Sequence, residues 1–513
     1  MNSTDTNLVE LLHHPDAFPE SSATAEFHET HISWVFLVGD YAYKIKKPVK
    51  TEFLDYSTLE KRQRLCWEEL RLDSRFANDL YLDVVPICMV DGKLRVEGIG
   101  IPLEYAVKMR RFPSGALLSE RLKAGKLTVH EVSQLSETIA DFHQSAARCE
   151  QADAMSWPAF VFNNMNSMLR QLKQACSSQT VTTLYAVEQW SESVNDENGH
   201  QFIRRAKDGF IRECHGDLHL ENVVNWQGRF IPFDGIEFNP RMRWIDVLSD
   251  AAFLMMDFAA RGHIEFGRSF ANQYLQHTGD YESLRTLRWF VVYRAIVRGL
   301  VASIRANQSG VSMAERDEAI ADCRSHIALA HQFTTEESPG LWITHGVSGS
   351  GKTKKSELVV QQQDCVRLRS DIERKRMFGL QPTDRSSPPG LYSDESTKAT
   401  YDRLLKLAKD ILRSGYSVIV DATFLEHSRR SRFRDLAFSE GVSFAILDCH
   451  ADSEILHQRV ADRNKRNADA SDADRAVLQQ QLETRQPLTS EERQYVAEPL
   501  AATPLLKQSS QGS

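Results

Sequence analysis

The run Gly346-Val347-Ser348-Gly349-Ser350-Gly351-Lys352-Thr353 fills the pattern GxxxxGK(S/T) and follows the apolar segment Leu341-Trp342-Ile343-Thr344. No other stretch limits the fold of its surroundings so tightly. Glycines let backbone N–H groups converge on phosphate oxygens, Lys352 adds a cation near the β and γ phosphates, and the Thr353 hydroxyl is of a kind to ligate magnesium. Strand, loop and helix are therefore expected in succession around a nucleoside triphosphate, with Gly346, Ser348, Gly349, Ser350, Gly351, Lys352 and Thr353 against it. A bare glycine-serine turn is the competing reading, and the strand-like run before the loop argues against it.

A second signature stands upstream. His215-Gly216-Asp217-Leu218-His219-Leu220-Glu221-Asn222 sets an Asn five positions after an Asp, and Asp234 follows in Ile231-Pro232-Phe233-Asp234-Gly235. In a kinase catalytic loop this spacing lets the Asp reach a substrate hydroxyl as base while the Asn and the later Asp hold the metals that bridge the phosphates. Singly, Asp217 could be a turn residue, Asn222 a cap and Asp234 the start of an Asp-Gly turn. Together, behind the strand-like Phe210-Ile211-Arg212, they favour the catalytic reading.

A chain of 513 residues, 42% apolar, exceeds one ordinary core and is expected to form about two to four domains. Its eight cysteines show no CxxC pair and no zinc spacing, so they read as reduced cytosolic thiols. Residues 1–16 lack the basic start and apolar core of a signal peptide, and residues 290–302 are too short for a span and carry Arg294 and Arg298. A cytoplasmic protein without a membrane partner is expected. Residues 340–513 carry 26 Lys and Arg against 24 Asp and Glu, and residues 1–339 carry 36 against 46. The acidic N-terminal part is compatible with a cationic small molecule, and equally with ordinary solubility.

A helical stretch over residues 283–333 ends at the polar Thr334-Thr335-Glu336-Glu337-Ser338-Pro339-Gly340. Its Pro-Gly close marks a boundary, which divides the chain into residues 1–335 and 336–513. The tail 501–513 is rich in Ser, Gln and Gly and is expected to fray.

Trp34-Val35-Phe36-Leu37-Val38, Gly39-Asp40 and Tyr41-Ala42-Tyr43-Lys44-Ile45 read as a hairpin. Lys44 and Lys46 share one face of its second strand, so either could hold the α and β phosphates; Lys44, inside the apolar run, is favoured over an edge-strand role. A helix is expected from about Ser57, where Ser57-Thr58-Leu59-Glu60 has the form of a capping box. Glu69 falls in that helix's apolar arc and needs a cationic partner: Lys44, or Arg62 on the same helix. Tyr105-Ala106-Val107-Lys108-Met109-Arg110 reads as a strand entering a hinge, and His143 as a packed or capping histidine.

Beyond residue 340 strands and helices alternate, as a parallel sheet with crossover helices requires. Val418-Ile419-Val420-Asp421 ends a strand on a carboxylate suited to magnesium; Asp421 as a cap is the alternative. Asp371, after Cys365-Val366-Arg367-Leu368-Arg369, could take a proton from a substrate hydroxyl, or could favour a helix start where Ser370 and Glu373 make a capping box. Arg459, Arg463 and Arg466 share a helical face that could clamp a transferring phosphoryl group, or could be a solvated face.

On these residues, residues 30–330 resemble the aminoglycoside phosphotransferase and choline kinase branch of the protein-kinase-like fold, which writes HGD where protein kinases write HRD. The resemblance implies Asp217 as base, Asn222 and Asp234 as metal ligands, and Lys44 with Glu69 as the ion pair of the small lobe. Residues 341–500 resemble small P-loop kinases of the AAA-like type, related to gluconate, polynucleotide and zeta-toxin kinases, with Lys352, Thr353, Asp371, Asp421 and the lid arginines at matching places. The whole is similar to bacterial fusions of an aminoglycoside phosphotransferase-like and an ATP-binding domain. It implies a bilobal α+β kinase-like domain followed by an α/β P-loop domain, although no GxGxxG loop precedes Lys44, where the Gly39-Asp40 hairpin stands instead.

The expected activity is transfer of the γ-phosphate of ATP, with Mg2+, to hydroxyl groups of small molecules at both sites, Asp217, Asp371 and Arg463 acting on the reacting groups. The alternatives are a P-loop domain that senses or hydrolyses ATP to regulate the first, and a C-terminal nucleic-acid end kinase. Near-balanced charge without a basic, aromatic-interleaved patch speaks against a nucleic-acid partner.

Overall fold

The computed structural model describes residues 3–20, 25–51, 54–308, 310–335, 338–382, 384, 388–466 and 475–498. The tail 501–513, part of the linker 334–340 and the side chains of Arg463 and Arg466 lie outside the described residues. Two compact units are present, residues 1–163 with 202–257 and residues 164–201 with 258–513; the sequence places its division at 335/336.

The first unit is built on a six-stranded antiparallel sheet of β1 (Glu26–Glu29), β2 (Ser33–Val38), β3 (Tyr41–Lys46), β4 (Tyr81–Val90), β5 (Lys93–Val96) and β6 (Pro102–Arg110), in the order β1-β2-β3-β6-β4-β5. The β2–β3 hairpin turns at Gly39 and Asp40 as its sequence predicts, with Val38 opposite Tyr41 and Gly39 at φ +56. Alternation then sorts the side chains. Trp34, Phe36, Tyr43 and Ile45 enter one cluster with Ile87 and Val96, whereas Ala42 joins Cys66 and Val107 in another. Lys44 and Lys46 share the Ala42 parity and so face the helix Leu59–Ala77, which carries Cys66.

That helix starts one residue later than its capping-box pattern suggests. Thr58 is the N-cap and its hydroxyl accepts from the Lys61 amide at 3.4 Å, while the Ser57 hydroxyl bonds Asp55 Oδ1 at 2.5 Å. The helix buries Leu65, Cys66, Leu72 and, on the same face, Glu69 and Asp73. Arg62 is also buried, but it donates to Glu104 at 2.8 Å, which removes it as the partner of Glu69.

The rest of this unit includes β7 (Ile211–Glu213), β8 (Val223–Trp226), β9 (Arg229–Pro232) and β10 (Trp244–Asp246); β7 pairs with β10 and β8 with β9. The segment between β7 and β8 carries Asp217 and Asn222, and β9 runs into Asp234, so short strands pin both ends of this segment.

The second unit contains a parallel sheet of β11 (Gly340–His345), β12 (Cys365–Arg369), β13 (Ser417–Asp421) and β14 (Ser443–Asp448), in the order β12-β13-β11-β14. Ile343, Leu368, Val418, Ile419, Val420 and Ile446 are fully buried, the pattern of strands covered by crossover helices on both faces. The chain reverses its order beside β11, so the carboxyl ends of β11 and β13 open a crevice where such sheets bind ligands. The helices Ile264–Thr278, Leu284–Ala306 and Met313–Thr334 belong to the same unit. The capping box expected at Ser370 and Glu373 does not form: Arg369 is the N-cap without a side-chain bond, and the fully buried Glu373 pairs with Arg376 and, at 2.8 Å, with Arg403. Among the described residues no helix is long and apolar enough to cross a membrane.

Candidate active sites

In the first unit the two candidate lysines divide one carboxylate. Lys44 Nζ donates to Glu69 Oε1 at 2.8 Å and Lys46 Nζ to Glu69 Oε2 at 2.5 Å. Glu69 is fully buried, so both cations offset its desolvation. Burial alone would raise its pKa, but Lys44 and Lys46 hold it well below the usual carboxylate range. Burial likewise disfavours charged lysine, yet Asp234 and Glu69 keep Lys44 well above the ordinary lysine value. The difference between the lysines lies in their second partners. Lys44 bonds Asp234, whereas Lys46 bonds Glu237, which also takes the Tyr56 hydroxyl. Lys44 therefore reaches the residue expected to hold metal, and Lys46 braces the chain three residues beyond.

The segment from His215 to Asn222 is laced to the turn at Asp234. His215 Nε2 donates to Phe233 O at 2.9 Å, Ile236 N to His215 O at 3.0 Å and Phe233 N to Asn222 O at 3.0 Å. His215 is buried, which lowers its pKa, and its Nδ1 accepts from Asp217 N at 3.3 Å, so the ring is the neutral Nε2–H tautomer. Gly216 has φ +91, and a Cβ there would lie 2.7 Å from Met242 O. This position of the loop therefore requires glycine.

Asp217 keeps 40% of its side chain exposed, with Asn222 Nδ2 3.2 Å and His219 Nε2 3.4 Å from Oδ2. Asp234 is 43% exposed and has φ +62, unusual for a residue with a Cβ. Neighbours that the spacing does not reveal hold both. Asp250, fully buried, accepts from His215 N at 2.7 Å and Gly216 N at 2.9 Å. Asp73 accepts from Gly235 N at 2.9 Å, and burial, with Glu69 nearby, pushes its pKa well above the ordinary value. Asp73 could have been suspected from its position four residues after Glu69 in the apolar arc.

In the second unit the loop after β11 carries glycines at positive φ: Gly346 at +144, Gly349 at +81 and Gly351 at +95. A Cβ at Gly346 would sit 2.4 Å from Cys449 O, so this loop can close against the chain just after β14 only without a side chain. Lys352 opens the helix Lys352–Gln362 with Nζ on Val347 O at 2.8 Å, and Thr353 beside it is exposed. Ser348 N donates to Gln481 Oε1 at 2.8 Å. Asp421 is buried at the end of β13, with Ser356 Oγ 3.4 Å and Arg369 Nε 3.8 Å from Oδ2. Asp371 lies in the first turn of the helix Ser370–Met377, 3.8 Å from Arg374. Of the arginine face, Arg459 donates to Gly349 O at 3.1 Å; the side chain of Arg463 is outside the described residues. Gln481 had no signal in the sequence, because its partner is a loop amide far along the chain.

Residues 341–488 match the family model of the AAA domain. An uncharacterized protein of Mycobacterium tuberculosis (strain ATCC 25618 / H37Rv) is 29% identical over 452 residues, 87% of this chain and 88% of that protein, and an uncharacterized protein of Mycobacterium bovis matches equally. Among solved structures, a choline/ethanolamine kinase family protein from Mesorhizobium loti is 15% identical at a TM-score of 0.35, covering 64% of this chain and 99% of that one. A gluconokinase from Sinorhizobium meliloti 1021 is 22% identical at a TM-score of 0.24, covering 32% of this chain and 85% of that one. The residues matched to the AAA domain take in the run from Gly346 to Thr353 and the strands β12, β13 and β14 of the second unit.

Proposed function

We infer that the chain is an ATP-dependent phosphotransferase with two sites, each passing the γ-phosphate of ATP to a hydroxyl group of a small molecule. The observation that carries this reading is the bonding of Lys44 to both Glu69 and Asp234 beside a half-open Asp217. A lysine for phosphates, a metal carboxylate and a base are then fixed to one frame.

In the first site Asp217 would take or orient the acceptor's proton, with Asn222 Nδ2 and His219 Nε2 steadying its carboxylate. Lys44 would exchange part of its contact with Asp234 for phosphate oxygens. The Asn222 carboxamide oxygen and the Asp234 carboxylate are hard oxygen donors, the set Mg2+ prefers, and they would hold it. Bound there, Mg2+ would neutralise charge on the phosphate oxygens. In the second site, Lys352 and the loop amides would cradle the triphosphate, Thr353 and Asp421 would supply oxygen donors for Mg2+, and Asp371 would receive the acceptor's proton.

Near-balanced charge in residues 340–513 supports small-molecule acceptors rather than nucleic acid. Transfer of labelled phosphate from ATP into a metabolite extract, by the full chain and by Asp217→Asn and Lys352→Ala, tests the reading. Each variant should lose one set of labelled products. Identical products from all three proteins would refute it.

A further inference from the structure

The helix that carries Asp371 is gripped by a helix that precedes the P-loop in the chain. β12 is the edge strand of the parallel sheet, where peptide groups are normally left open. Asn272, on the helix Ile264–Thr278, closes that edge: its Nδ2 donates to Cys365 O at 2.9 Å and its Oδ1 accepts from Arg367 N at 2.6 Å. A carboxamide presents donor and acceptor side by side, so it imitates one residue of a further strand. Asn272 is 5% exposed, and its partners are shielded from water with it.

The second contact lies one turn further along the helix Ile264–Thr278 and reaches the helix that follows β12. Arg376, near the end of the helix Ser370–Met377, donates to Gln276 O in the last turn of Ile264–Thr278. Carbonyls in a last turn lack intrahelical partners and lie at the negative end of the helix dipole. Gly279 caps that turn at φ +74, and a Cβ there would lie 2.6 Å from Arg376 Nε, so the guanidinium occupies space that the glycine leaves. Arg376 also bonds Glu373, which Arg403 holds from the other side at 2.8 Å. The strand before Asp371 and the turn after it are therefore anchored to the same helix.

We propose that Arg376 is a positioning residue for Asp371: by tying Glu373 to the Gln276 carbonyl it fixes the rotation and advance of the helix Ser370–Met377, and with them the place of the Asp371 carboxylate. This rests on the reading of Asp371 as the group that receives the acceptor's proton. Misplacement by about 1 Å costs on the order of a hundredfold in rate, whereas the nucleotide loop has its own supports.

The test uses the full chain carrying Asp217→Asn to silence the first site, with Arg376→Ala, Arg376→Lys and Asp371→Asn compared in it. Hydrogen exchange follows residues 366–377 and 346–353, and ATP turnover and ATP affinity are measured in parallel. Arg376→Ala should raise exchange over 370–377 but not over the P-loop, and lower kcat about tenfold to a hundredfold with ATP affinity held within about twofold. Arg376→Lys should recover part of the loss, and Arg403 keeps Glu373 paired in either variant. Unchanged exchange, unchanged kcat, or kcat and ATP affinity falling together would overturn the proposal. If Asp371→Asn turns over normally, the role of Asp371 fails, and its positioning with it. If Asp371→Asn is inactive while Arg376→Ala is normal, only the positioning role fails.

Discussion

Glu69 meets Lys44 at 2.8 Å with its carboxylate fully buried, and its second oxygen is taken by Lys46. Removing one member of a buried ion pair leaves uncompensated charge and costs about 3–5 kcal/mol. Glu69→Gln should therefore destabilise the first unit by roughly 3 kcal/mol, read as a shift of its transition in chemical denaturation.

The same carboxylate predicts a pH dependence. Its folded pKa lies below the ordinary value of 4.5, so the unfolded chain binds more protons in that window. The stability it contributes is present above the ordinary carboxylate range and is lost as pH falls toward its folded value. The stability gap between wild type and Glu69→Gln should be full at neutral pH and narrow below about pH 4.5. A gap of constant size across this window would contradict the depressed pKa.

Asp217→Asn keeps the shape of the side chain and its place beside Asn222 but removes the carboxylate proposed as base. Transfer at the first site should fall about a thousandfold with ATP affinity unchanged. Single-turnover transfer in a Lys352→Ala background isolates this site.

Gly216→Ala adds a Cβ 2.7 Å from Met242 O at a φ of +91. Strain of about 1–3 kcal/mol is expected, together with loss of transfer, because Asp217 is the next residue. Thermal unfolding and single-turnover rates read the two effects separately.

The parts legible in the sequence are those with short spacings. The P-loop, the run from His215 to Asn222 and the hairpin around Gly39 each specify their geometry within a few residues. Lys46 and Glu237, 191 positions apart, and Asp250 with His215, 35 apart, meet only through the tertiary fold. The choice between Lys44 and Lys46 was undecidable from strand parity alone, because both face the same helix and both reach Glu69. At Ser370 the local pattern misleads for a physical reason: ion pairs with two guanidinium groups, Arg376 and Arg403, outweigh the single bond that the Glu373 carboxylate would take from an uncharged backbone amide at the helix N-cap.

The central claim is two nucleotide sites in one chain, and calorimetric titration with Mg2+ and a non-hydrolysable ATP analogue tests it most directly. The account predicts two sites in the wild-type chain and one in Lys352→Ala, with the survivor abolished when Lys44→Ala is added. A single site in the wild type, or two undisturbed sites in Lys352→Ala, would contradict it.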